Sequence, residues 1–280
     1  MTQKIMTETP GRLWMRDRAF ERTVRLYGKQ DQRTDAWHAQ RGTMITASEV
    51  SKVWQTPASR LELLEKKLEP PAKNESNPFN AIPALIWGTR FEPVAKKIYE
   101  ERTKCEITDV SCVQHPRHTF LGASPDGLIV PTTDDPRRYG RLVEFKCPMS
   151  RKPSDEIPPG YVHQMQMQME CTGIDECEYV EFRFKVVNYT EWKRSKETKG
   201  CFAVYPSGKV DYNCDCDCEP EDAQVLHWIL QSIKEDFVKK DPNWLPTVLP
   251  QLRVFWDEVL AHRINGTRPD EPKKLPTLDL

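Results

Sequence analysis

Four short segments rich in β-branched and apolar residues follow one another from Cys105 to Cys147: CEITDVSCVQH, FLGAS, GLIV and RLVEFKC, with turn-forming residues between them. Such a run reads as a β-meander, and a sheet of this kind must bury at least one face under another layer. Helices are available to cover it. TASEV (Thr46 and Glu49) and SRLELLEKKL (Ser59 and Glu62) each carry a Ser/Thr-x-x-Glu capping box. ALIWGTRFEPVAKKIYEERT spaces its apolar residues as a helix does, with Pro93 expected to bend the helix or start a new one. AKNESNPFNAIP, which precedes it, reads as a loop.

Beyond the meander, GYVHQMQMQMECTG sets two signals against each other. Gln/Met alternation has the period of a strand, whereas the helix propensity of Gln, Met and Glu and the closing glycine favour a helix, which we assign. CEYVEFRFKVV, GCFAVYP and KVDY read as strands, the last two joined at PSG in a hairpin. AQVLHWILQSIKEDFVKK and PQLRVFWDEVLAHRIN read as closing helices. The resulting expectation is an α/β fold with a central mixed β-sheet flanked by helices. It divides into an N-terminal extension over 1–34, a core over 35–213 and a helical C-terminal extension over 214–280 packed on that core.

With 280 residues, 38% hydrophobic and 30% charged, the chain suits one large domain. Its start carries no secretion signal and no segment approaches the ~18 continuous apolar residues of a membrane span, so a soluble, intracellular protein is expected, in the cytoplasm or nucleus. The net charge of −1 lacks the broad positive field of many nucleic-acid binders, so such a partner would be held by a local patch. Nine cysteines, an odd number, point to reduced thiols. In NCDCDCEP, Cys214, Cys216 and Cys218 would share one face of a strand and could ligate zinc, but no fourth ligand is evident, and the segment reads as an acidic solvated loop.

The stretch SPDGLIVPTTDDPRRYGRLVEFKCP places Asp126 before one strand and Glu144 and Lys146 on another. On a strand Glu144 and Lys146 project to one face and Val143, Phe145 and Cys147 to the other, toward a core. Asp126 meets them if GLIV pairs with LVEFK, and two carboxylates then form an oxygen site for a hard cation such as Mg²⁺ beside a lysine able to orient or activate a water. Taken singly, Glu-x-Lys is a common surface ion pair and Pro-Asp-Gly a common turn.

Together, SPDG and VEFKCP resemble the active-site signature of the PD-(D/E)XK nuclease superfamily, and specifically its lambda exonuclease and YqaJ-type viral recombinase branch. DAWHAQRGTMITASEV, WGTRFEPVA and YVHQMQMQM resemble three further motifs of that branch, in the same order. The resemblance implies a restriction-endonuclease-like core and a catalytic set of Glu92, Asp126, Glu144 and Lys146. Asp126, Glu144, the Phe145 carbonyl and Glu92 would hold the metal, Mg²⁺ with Mn²⁺ as a substitute. Arg41, Ser48, Ser124 and Gln164 would grip DNA phosphates.

The implied activity is 5′→3′ exonucleolytic degradation of one strand from a duplex DNA end, leaving 3′ single strands for recombination or repair. The alternatives are an endonuclease of the same fold or a non-catalytic DNA-end or partner-binding protein. Implied partners are double-stranded DNA ends, a single-strand annealing protein and, by analogy, further copies in a ring trimer. Gln164 and Gln168 share a helix face; Met165, Met169, Trp37 and Trp87 are expected in the core, His163 as a packing residue, and His115 and His118 in a loop.

Overall fold

The computed structural model describes residues 10–28, 32, 34–69, 83–130, 137–217, 220 and 222–269. The loop expected over 72–82, most of the loop between Asp126 and Glu144, and Cys218 lie wholly or partly outside the described residues. The chain begins with helices α1 (Pro10–Tyr27) and α2 (Asp35–Gly42), then β1 (Ile45–Thr46), a short 3-10 turn (Ala47–Glu49), α3 (Lys52–Gln55), α4 (Pro57–Leu68) and α5 (Pro83–Thr103). Strands β2 (Ile107–Thr108), β3 (Val113–Gln114), β4 (Leu121–Ala123), β5 (Gly127–Ile129) and β6 (Leu142–Lys146) follow. The remainder is α6 (Pro159–Thr172), β7 (Glu176–Val187), α7 (Tyr189–Arg194), β8 (Lys199–Val204), β9 (Val210–Asp211), β10 (Gln224–Lys239) and α8 (Trp244–Asn265).

The main sheet has seven strands in the order β2-β5-β6-β7-β10-β8-β9, and a small sheet has the order β1-β4-β3. Strands β6 and β7 are parallel, joined by the α6 crossover, while β5 and β10 run antiparallel to their neighbours. This is the mixed α/β architecture expected. Among the described residues no helix is long and apolar enough to cross a membrane.

One expected helix is a strand. Residues 224–239 form β10, which lies between β7 and β8, so the segment assigned to a helical C-terminal extension contributes an interior strand of the sheet. The reason is visible in its packing: Leu226, Trp228, Leu230 and Ile233 all face the same apolar cluster, and the register against β7 shifts between Leu230 and Ser232. A bulge adds one residue and reverses the alternation, turning a period of two into a spacing that resembles a helix.

Helix α6 settles the Gln/Met conflict as expected, closing on Gly173 at φ 79°. It is buried all round: Met165 and Met169 pack toward the sheet, Met167 and Cys171 toward the cluster containing α4 and α8, and Gln166 donates to the Lys239 carbonyl and accepts from the Asp241 N–H. Alternation here records a helix with a different neighbour on every side.

The Thr46/Glu49 capping box is present, although it opens only a single 3-10 turn. The other expected box shifts: Thr56 caps α4 by accepting from the Ser59 N–H, and Glu62 pairs with Lys52 instead. Helix α5 continues through Pro93. His163 is a packing residue that accepts from Trp244 Nε1 at 2.9 Å, and Trp87 stacks against Phe91 as a core anchor.

His115 sits in the turn between β3 and β4 but is 2% exposed, its Nδ1 accepting from the backbone N–H groups of Arg117 and His118. Burial, followed by the charges of His118 and Arg117, pushes its pKa down to about 4. Below the free value of about 6.5 the unfolded chain takes up a proton that the folded chain refuses, so this contribution to stability falls with pH from there to about 4. The urea midpoint should therefore drop over that window more steeply in the wild type than in His115→Asn, which keeps an acceptor without titrating. Equal slopes would show that His115 does not carry the effect.

Candidate active site

Asp126, Glu144 and Lys146 converge because β5 pairs antiparallel with β6, Gly127 opposite Val143. Glycine is required at that point: a Cβ there would lie 2.1 Å from Ile107 Cγ2 and 3.2 Å from Val143 Cγ1. The pairing brings the Asp126 carboxylate to the Phe145 N–H, which donates to it at 2.8 Å. Val143, Phe145 and Cys147 point into the core beneath, as the strand period predicts.

Glu144 is fully buried and its carboxylate is held on three sides. Gln164 donates to Oε1 at 2.5 Å, Gln168 donates to Oε2 at 2.6 Å, and Lys146 Nζ forms a close ion pair with Oε1. Lys146 also lies 4.6 Å from the centroid of the Tyr161 ring, a cation–π contact. Burial alone would lower the Lys146 pKa, but the Glu144 and Asp126 carboxylates outweigh it and hold the ammonium protonated. Asp126 is raised well above the usual carboxylate range, first by burial and then by the charges of Glu144 and Glu92.

Beside this cluster, Arg41 donates from one guanidinium nitrogen to Ser124 Oγ at 3.2 Å and from the other to Thr46 Oγ1 at 3.3 Å and Ser48 Oγ at 3.2 Å. Trp37 Nε1 donates to Ser124 Oγ at 3.1 Å, and its ring lies 4.2 Å from the Arg41 guanidinium carbon. Beneath them Glu49 accepts from Thr46 and pairs with Lys67, and Lys67 donates to the Arg41 carbonyl. The capping box read from the sequence thus also orders the floor under Arg41.

A single cleft of about 530 Å³ is lined by Arg41, Ser48, Glu92, Ser124, Asp126, Glu144, Phe145, Lys146 and Gln164. The nine residues expected to hold metal, water or phosphate are all brought together there. Two others were missed. Trp37, expected as a core anchor, lines the cleft and orders Ser124. Gln168 was placed on the face of Gln164 without a role, yet it holds the second oxygen of Glu144; its spacing of one helical turn from Gln164 was the available signal.

Among the described residues no ready-made group of three or more His, Cys, Asp or Glu ligands is present. The donor set nevertheless fits a hard cation, because carboxylate oxygens are gathered without enough positive charge and Asp126 is held back from ionising by Glu144 and Glu92.

Residues 36–175 match the YqaJ-like viral recombinase domain, half of the chain. The chain belongs to this family. Similar proteins include an uncharacterised protein of Acanthamoeba polyphaga mimivirus, 24% identical over 307 residues, covering 86% of this chain and 54% of that protein. A protein of African swine fever virus is 29% identical over 206 residues, covering 64% of this chain and 58% of its own length. The YqaJ-like chain thus spans a little over half the length of these relatives. Among solved structures, an alkaline exonuclease from Laribacter hongkongensis superposes with a TM-score of 0.52 at 24% identity, over 83% of this chain and 95% of that one. The likeness shows a shared fold.

Proposed function

We propose that this YqaJ-like protein is a divalent-metal-dependent exonuclease, preferring Mg²⁺ with Mn²⁺ as substitute, that degrades one strand of duplex DNA from a 5′ end. The observation that carries the reading is the joining, in one cleft, of the Asp126–Glu144–Lys146 cluster to the arginine-and-hydroxyl pocket of Arg41, Ser48 and Ser124. The name of the Laribacter hongkongensis protein, an alkaline exonuclease, points the same way.

Asp126 and Glu144, with the Phe145 carbonyl and Glu92, would hold the cation. When bound, it would supply charge stabilisation to the scissile phosphate and lower the pKa of an attacking water. The chain's own groups perform the rest. Lys146, held by Glu144 and Tyr161, orients the water; Gln164 and Gln168 fix the Glu144 carboxylate. Arg41 presents a fork to a terminal phosphate, with the hydroxyls of Ser48 and Ser124 completing the shell. The 3′ single strand left behind would be the substrate of an annealing partner.

An exonuclease consumes linear duplex and spares covalently closed circles, which an endonuclease of this fold would nick. Digestion of both, with the 5′ and 3′ ends of the linear form separately labelled, tests the reading: release of 5′ label first is expected, and cleavage of the circle or release of 3′ label first would contradict it.

Arg41 gives a finer expectation. A 5′-phosphate adds charge that the fork can bind, so Arg41→Ala should reduce the rate advantage of 5′-phosphorylated over 5′-hydroxyl duplex by about 1.5–3 kcal/mol, roughly ten- to a hundredfold. Initial rates on the two substrates measure it. Equal slowing of both would make Arg41 a general backbone contact.

A further inference from the structure

Away from the cleft, at the β8–β9 end of the sheet, three cysteines and a histidine lie together, although with two of the sulfurs joined in a disulfide they form no ready-made ligand group. Cys201 on β8 lies directly opposite His227 on β10 in the antiparallel register, so both side chains leave the same face of the sheet. The chain folds back after β9, bonding Cys216 to Cys201 in a disulfide and placing Cys214 Sγ 3.5 Å from Cys201 Sγ. His227 Nε2 lies 2.8 Å from the Cys216 carbonyl oxygen, so the imidazole faces the same loop. The expectation of wholly reduced thiols is corrected here, whereas Cys214 and Cys216 lie on a loop, as the acidic-loop reading expected. The fourth donor that NCDCDCEP lacked comes from distant positions, Cys201 and His227.

A disulfide alone has no use for a third sulfur in contact with it, nor for a histidine turned to the same loop. Three cysteines and one histidine are, however, a standard donor set of structural zinc sites. Ligand sulfurs about 2.3 Å from a tetrahedral zinc stand roughly 3.8 Å apart, close to the Cys201–Cys214 separation found here.

We propose that Cys201, Cys214, Cys216 and His227 bind one Zn²⁺ in the reduced chain, and that the disulfide is the metal-free, oxidised form of the same site. Conversion requires a two-electron reductant: two electrons and two protons pass to Cys201 and Cys216 as the S–S bond breaks, while a dithiol closes to a cyclic disulfide or a phosphine takes the oxygen of one water to become its oxide. Zinc binding then displaces the protons of the three thiols to solvent. Either form ties the loop after β9 to β8. That hairpin supports the catalytic face, since Phe202 packs edge-on against Phe91 and Tyr212 donates to the Arg90 carbonyl, both beside Glu92 on α5.

The inference does not depend on the nuclease reading. The full chain, produced with zinc in the medium and purified with a phosphine reductant and no chelator, should carry about one zinc by plasma mass spectrometry. Alkylation and intact-mass analysis should show no Cys201–Cys216 disulfide. Cys214→Ser and His227→Ala should each lose most of the zinc, whereas Glu144→Ala should keep it, separating this site from the carboxylate cleft. Should those variants fold poorly, Co²⁺ added to the reduced, metal-stripped wild type should give the visible bands of a tetrahedral thiolate site. Zinc-free reduced protein with no such bands, or zinc content unchanged in Cys214→Ser and His227→Ala, would overturn the proposal.

Discussion

Asp126→Asn is expected to abolish cleavage while raising the melting temperature of the metal-free protein. The two effects have one cause. Asparagine keeps an oxygen to accept from the Phe145 N–H but removes an anionic ligand, and loss of several kcal/mol of charge stabilisation corresponds to on the order of a thousandfold in rate. The stability gain follows from the raised pKa of Asp126, caused by burial and by the charges of Glu144 and Glu92. A carboxyl whose folded pKa is raised contributes stability that is present below its unfolded value of about 3.9 and lost as pH rises through the folded pKa, so above that unfolded value it opposes folding and the amide does not. The gain should shrink as the pH falls toward the range where Asp126 protonates. Thermal melts in chelator across pH, beside cleavage rates in Mg²⁺, check both halves. A variant that cleaves normally, or that melts lower than the wild type at every pH, would contradict the assignment.

Lys146 carries the second large effect. Lys146→Ala should slow hydrolysis on the order of a hundredfold or more, the range for loss of a group that orients the attacking water. It should also lower the melting temperature, because Glu144 is buried and would keep only its two glutamine donors. The Lys146 pKa is raised on folding, so its stabilisation is complete below the free lysine value and present throughout the neutral range. Lys146→Arg separates the roles: it retains the charge beside Glu144 and should recover much of the stability, yet its fixed fork does not reproduce a compact ammonium over the Tyr161 ring. Full activity in Lys146→Arg would mean that the residue only neutralises charge.

The site was more legible in the sequence than parts of the fold around it. Glu144 and Lys146 could be placed because a strand's period of two is short-range, and Asp126 joins them because GLIV does pair with LVEFK. The outer residues Arg41, Ser48, Ser124 and Gln164 come from three separate segments, so local pattern alone could not join them, and the family motifs did. Strand β10 was misread since its bulge reverses the alternation halfway along, which no window of local propensity detects. Trp37 was misjudged for a different reason: a large aromatic residue is usually core, and only the fold shows its indole N–H meeting Ser124. Cys201 and Cys214 illustrate the same limit, their meeting being set by the β8–β9 pairing and the chain that follows β9.

The activity proposed for this cleft is hydrolysis of DNA from a 5′ end with the help of a bound divalent cation. The most direct measurement is the initial rate on a 5′-phosphorylated linear duplex with enzyme stripped of metal by chelation, dialysed, and titrated with Mg²⁺. No cleavage before addition, followed by a saturable rise in 5′-mononucleotide release that Asp126→Asn does not show, is the expected result. Cleavage by the stripped enzyme, or an equal rise in Asp126→Asn, would contradict it.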